Sequence, residues 1–264
     1  MRTLPLSVCA AALLAASLQA QQQPPPPYQT VVCTKLRPGK TAAEYRQFVT
    51  DTTLKVQQAR AEAGEIVSWS LLRSVMPAGD EARCDYLSST LTEGPPREQR
   101  LELLAEGLKK AGVKSTTAEY IARRDSLTRL VSIELWRPVI RVGQPQKGNY
   151  LYLNYMRVHD AAEYRKFENT VWKPMAEEWV KTGAMSGWIY AVKQLPGGTD
   201  VKYAALSADI FPGWDALFKG LGTQGMFAKI HPGQNYQETM ERLGKLRSLA
   251  ELQLLVIEER VAKR

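Results

Sequence analysis

TAAEYRQF, Thr41–Phe48, is nearly repeated as DAAEYRKF, Asp160–Phe167, 119 residues further on. Each copy carries the signs of a helix start. Thr41 and Glu44 have the spacing of a capping box, as do Asp160 and Glu163: the first side chain accepts from the N–H three residues on, and the glutamate reaches back to the cap. Behind them, Tyr45, Phe48, Thr52 and Val56 match Tyr164, Phe167, Val171 and Met175. Steps of three and four predict one buried helical stripe per copy. Gly64 and Gly183, again 119 residues apart, stand where helices end. The glutamates and arginines of the phrase are therefore cap and solvent-facing groups, not a catalytic set.

The correspondence runs along most of the chain. YQTVVCTKLR and NYLYLNYMRV precede the two helices, and both are rich in residues that suit a pleated surface. EIVSWSLLRSV then pairs with MSGWIYAVKQL, placing Trp69 on Trp188. RCDYLSSTLTEG and KYAALSADIFPG follow, then a helical region in each half, then TRLVSIELWRPV and ELQLLVIEERVA as closing strands. Strand, helix, strand, strand, helix, strand is the split βαβ or ferredoxin-like unit. The expected fold is α+β, with one ferredoxin-like repeat over 28–140 and a second over 148–264. A single such unit leaves one sheet face uncovered, and the second copy can cover it.

The beginning of the chain has a different character. Arg2, the apolar run LSVCAAALLAASL and the small residue Ala20 are ordered as in a secretory signal peptide over residues 1–20. The run is too short to cross a bilayer core of about 30 Å. QQQPPPP, residues 21–27, is expected to be an extended tether. An exported location, periplasmic or secreted, follows from this reading. The formal charge is +8, but the basic residues are interleaved with acidic ones and form no long run. That pattern suits a solvated surface and argues against a nucleic-acid partner. Cys33 and Cys84 remain beyond the leader, and an exported chain can either bond such a pair or keep two buried thiols. No Cys/His spacing suggests a metal site.

With the doubled pattern, LRPGKTAAEYRQF after a strand and the Gly-then-Trp steps at Gly64–Trp69 and Gly183–Trp188, the sequence resembles the dimeric α+β barrel superfamily. Within it, the sequence loosely resembles NIPSNAP-like and antibiotic-biosynthesis-monooxygenase-like proteins. The resemblance implies two four-stranded sheets forming a barrel within one chain, helices outside, and a pocket between or beneath the sheets. It also sets Cys33 on a first strand beside Cys84 on a third, so a bridge is expected there if the thiols oxidise. Because the repeat completes the barrel internally, no partner subunit is required, and a homodimer stays open.

The chemistry is less defined. Tyr152 and Asn154 alternate with Leu151 and Leu153 along one strand. The Leu-bearing face is assigned to the helices, leaving Tyr152 and Asn154, with Trp69, Trp136, Trp188 and Tyr190, as expected pocket liners. Aromatic walls with a few polar groups suit a small, flat organic ligand. The resemblance adds that cofactor-free oxygenases of the superfamily hold phenolic substrates with Asn, Trp, Tyr and Arg, and that its haem members use one histidine. His159, at a helix start, and His231, before Pro232, are the two histidines weighed for such roles. No catalytic residue and no cofactor is assigned. The leading expectation is a ligand-binding or accessory protein. The alternative is an oxidoreductase, monooxygenase-like or haem-dependent, and a third reading is an assembly module.

Overall fold

A computed structural model describes residues 25–98 and 101–263. The expected signal peptide and tether residues 21–24 lie outside them. The first half contains β1 (Pro27–Leu36), α1 (Ala42–Phe48), α2 (Leu54–Glu62), β2 (Ser68–Met76), β3 (Tyr86–Glu93), α3 (Leu101–Lys110), α4 (Thr117–Leu127) and β4 (Thr128–Gly143). The second contains β5 (Tyr150–Val158), α5 (Ala161–Phe167), α6 (Lys173–Lys181), β6 (Gly187–Leu195), β7 (Ala205–Phe211), α7 (Trp214–Phe218), α8 (Thr223–Ile230), α9 (Tyr236–Leu246) and β8 (Arg247–Ala262).

The strands close into an eight-stranded antiparallel barrel in the order β1-β3-β2-β8-β5-β7-β6-β4. Two strands of 16 residues, β4 and β8, make the closure. β4 pairs with β1 from Thr128 to Trp136 and with β6 from Leu135 to Gly143. β8 does the same with β5 and β2. Each is longer than its apolar run suggested, because one strand serves first its own half and then the other. No open sheet edge remains along the closure, which removes a template for unwanted pairing.

The helices form as the quoted phrase predicts, with two differences. Thr41 accepts from the Glu44 N–H at 3.2 Å and Glu44 accepts from the Thr41 N–H at 2.9 Å, a complete capping box. Asp160 caps α5 through the Ala162 and Glu163 N–H groups, but the return arm from Glu163 is absent. In both halves a π-helical turn, Val49–Thr53 or Glu168–Trp172, interrupts the expected continuous helix. The wider turn keeps the stripe on the sheet: Tyr45, Phe48 and Val56 are buried in one half, and Tyr164, Phe167, Val171 and Met175 in the other.

Three apolar cores result. One lies under the first-half helices, around Phe48, Trp69 and Tyr86. A second lies under the second-half helices, around Phe167, Met175 and Trp188. The third fills the barrel itself, around Val31, Leu87, Trp136, Tyr155 and Leu255.

Candidate functional site

The barrel interior holds a cavity of about 100 Å³. On β5 its wall is made by Leu151, Leu153 and Tyr155, and on β7 by Leu206, Ala208 and Ile210. This reverses the expected assignment of faces. The Leu-bearing face of β5 points inward, and Tyr152 and Asn154 point to the helices. The physical reason is space: in a closed barrel the inward side chains of all strands converge, so most are compact aliphatic groups packed around the few rings, Trp136 and Tyr155 among them. The helix layer outside accommodates large rings whose polar tips find partners.

Of the six expected pocket liners, Trp136 alone borders this cavity. Trp69 donates its indole N–H to Ser88 Oγ at 2.7 Å in the first-half outer core. Tyr152 packs edge-on against Phe211, and Tyr190 edge-on against Tyr164. Trp188 belongs to the same second-half core. Asn154 donates to Asp209 Oδ2 at 2.8 Å and to Ser207 Oγ at 3.3 Å.

The cavity wall is mostly apolar, with charged residues lining one end and a charged cluster behind the wall at the other. Beyond Trp136 and Tyr155 lies buried Glu134, which accepts from Tyr203 Oη at 2.7 Å, Lys193 Nζ at 3.1 Å and Trp136 Nε1 at 3.2 Å. Arg83 stands 3.5 Å from the same carboxylate, donates to Tyr203 Oη, and lies 5.2 Å over the Tyr155 ring. At the opposite end, Arg141 of β4 and Arg260 of β8 reach the rim, beside Ser68, Ser70 and Ser89. These charged residues were not singled out from the sequence. The 119-residue offset that revealed the repeat also relates Arg141 to Arg260, and that was the usable signal.

A second polar cluster lies outside the barrel wall, under the second-half helices. Glu168, on the π-helical turn, is 2% exposed, and its Oε2 has no hydrogen-bond partner. Burial pushes its pKa up to about 8; the Asp209 charge also raises it, while Tyr164 and Arg247 oppose the shift. Burial likewise pushes Asp209 up to about 6, against the hydrogen bond from Asn154 and the Arg247 charge. The first half has neutral residues at the matching places: Val49 for Glu168, Thr90 for Asp209, Thr128 for Arg247 and, with the extra residue in its turn, Thr34 for Asn154. The two halves share a strand order but not this cluster.

Neither histidine borders the barrel cavity. His231 is buried, its Nε2 lies 3.1 Å from the Val171 carbonyl oxygen, and its ring packs on Phe227. A haem iron at Nε2 would have to displace that contact, and the cavity wall holds no histidine, so the cavity does not fit the group. His159 is an exposed loop residue held through its backbone N–H to Leu246 O. Cys33 and Cys84 form a disulfide with Cα atoms 5.4 Å apart, between β1 and the chain entering β3. Among the described residues no helix is long and apolar enough to cross a membrane.

The closed order of eight antiparallel strands with helices packed outside settles the architecture. The chain adopts the dimeric α+β barrel fold. Solved structures with this barrel include a candidate monooxygenase from Lactobacillus acidophilus, at TM-score 0.55 and 12% identity, covering 90% of this chain and 97% of that one. A candidate monooxygenase from Fusobacterium nucleatum matches at TM-score 0.54 and 8% identity, covering 90% and 95%. An anthrone oxidase-like protein matches at TM-score 0.50 and 9% identity, covering 90% and 93%. At these identities the likeness extends to the barrel fold and no further. No family model matches the sequence, and no curated protein is similar to it in sequence.

Proposed function

We propose that this chain is an exported protein built from two tandem ferredoxin-like repeats, whose barrel interior binds a small apolar ligand. The order last, first, third, second strand within each half supports the repeat reading. The disulfide supports an oxidising compartment. The observation that carries the ligand reading is the cavity: an aliphatic tube with Trp136 and Tyr155 in its wall. A cavity of about 150 Å³ lined by apolar side chains takes up benzene or xenon. At about 100 Å³, this one suits a single ring or a short chain and excludes a tetrapyrrole.

The test is benzene uptake followed by NMR, with Trp136 and Tyr155 as reporters. Ala208→Leu narrows the tube at an expected cost of about 1–3 kcal/mol. Shifts confined to the interior core and abolished by Ala208→Leu are expected. Shifts confined to the helix layer, or none, would refute the reading.

A second reading, an oxidoreductase acting on a phenolic compound, draws on Asn154, Trp188 and the carboxylates Asp209 and Glu168, whose pKa values burial raises, gathered under the second-half helices. The names of the similar structures support it. Oxygen consumption with an anthrone substrate, lost in Asp209→Asn, is its test; no consumption by the wild type would remove it.

A further inference from the structure

The rim of the cavity carries two unneutralised guanidinium groups, and their placement is a built feature of the barrel. Trp136 of β4 points inward, so simple alternation would put Ile140 and Val142 inside and Arg141 outside. A bulge at Val139, between the pairs Pro138↔Ala191 and Ile140↔Tyr190, reverses that parity. Ile140 and Val142 then join the outer core, and Arg141 turns to the rim. β8 repeats the device 119 residues later. A bulge at Glu258, between Leu71↔Glu259 and Leu72↔Ile257, sends Val261 outward and Arg260 inward.

Arg260 donates one N–H to Ser70 Oγ at 2.9 Å. Among the described residues no carboxylate pairs with Arg260 or Arg141. The carboxylates adjacent to Arg260 in the chain are turned elsewhere: Glu258 to Arg73 at 2.6 Å and Glu259 to Lys147 at 2.7 Å. Both guanidiniums border the same cavity, and burial, with the Arg141 charge as a smaller cause, lowers the pKa of Arg260. Arg141 is exposed and Arg260 half-buried, so water screens part of their mutual repulsion, and an anion at the mouth of the apolar tube would relieve the rest.

We propose that the ligand of the barrel is an organic acid, its anionic head held between Arg141 and Arg260 and its apolar body in the tube between Ser70 and Trp136. This rests on the reading of the interior as a ligand site. Guanidinium groups are suited to two-point recognition of a carboxylate. The neutral hydroxyls of Ser68 and Ser89 stand nearby to donate to the same head.

The experiment compares benzoate, its neutral isostere benzamide, and inorganic phosphate by calorimetric titration of the full chain. Benzene uptake is measured in parallel. Benzoate is expected to bind at least about 10-fold tighter than benzamide, because hydrogen bonds to a charged group contribute that much. Arg141→Gln and Arg260→Gln should each weaken benzoate about 10-fold, and the double variant should bind benzoate and benzamide alike while still taking up benzene. Thermal denaturation gives a second readout, since benzoate should raise Tm in the wild type and not in the double variant.

Equal affinity for benzoate and benzamide in a wild type that takes up benzene would overturn the anionic head and leave the cavity reading intact. Phosphate binding as tightly as benzoate, with no interior NMR shift, would reduce the rim to a plain anion site and overturn the organic acid. Failure of benzene to enter would overturn the cavity reading, and the inference with it.

Discussion

Replacing Glu168 by Gln should stabilise this protein, and increasingly so as pH rises. Glu168 is 2% exposed, with one carboxylate oxygen unpaired against the second-half core. Its pKa is about 8 in the folded chain, against an ordinary 4.5. Between those values the unfolded chain releases the proton while the folded chain keeps it, so the folded state loses stability as pH climbs. Each unit of pH in that window corresponds to about 1.4 kcal/mol. The penalty removed by Gln is therefore under about 1 kcal/mol at pH 5, about 3 kcal/mol at pH 7 and about 5 kcal/mol at pH 9. Gln preserves the shape and Asp209 is present in both proteins, so the difference between them reports on Glu168. Urea unfolding at those three pH values measures it. Parallel curves, with a constant difference from pH 5 to pH 9, would mean that Glu168 is ionised and fully compensated by Arg247. The account of a proton-holding cluster would then be wrong.

Removing the bridge by Cys33→Ala with Cys84→Ala should cost about 4 kcal/mol in urea unfolding, from the chain entropy of a 51-residue separation; oxidised and doubly substituted proteins of equal stability would contradict this. Gly143→Ala should be far more damaging than Gly148→Ala. Both glycines have positive φ, but a Cβ on Gly143 would sit 2.3 Å from the Ser186 carbonyl oxygen, whereas Gly148 has open space; equal melting temperatures would refute it. Thr41→Ala should cost about 1 kcal/mol through loss of the cap on α1, and a change under about 0.3 kcal/mol would show that the box is not made in solution. Trp136→Phe should leave one Glu134 hydrogen bond unmade, at about 1–2 kcal/mol, and should alter the NMR response to benzene, because the ring lies in the cavity wall.

Much of the architecture was legible in the chain. The paired phrases at Thr41 and Asp160 marked two helix starts, and the stripes behind them identified most of the residues that now lie under the helices. The site was legible only in part. Alternation along Tyr150–Val158 separated two faces correctly, but the outward face was taken for the inward one. Asn154, Trp188 and Tyr190 do come together, on the far side of the wall from the cavity. The charge at position 168, where the matching residue is Val49, was a visible anomaly that periodicity alone would pass over.

The sequence by itself determined the correspondence of phrases 119 residues apart, the order of elements and the helix caps, because these depend on neighbours within a few residues or on comparison of one half with the other. Which side of the wall became the interior was decided only by closure, when β4 met β6 and β8 met β2. The bulges at Val139 and Glu258 belong to the same step. A strand's alternation has no preferred sense until a partner sets its register, and one extra residue in that pairing is enough to turn Arg141 and Arg260 from the surface into the mouth of the barrel.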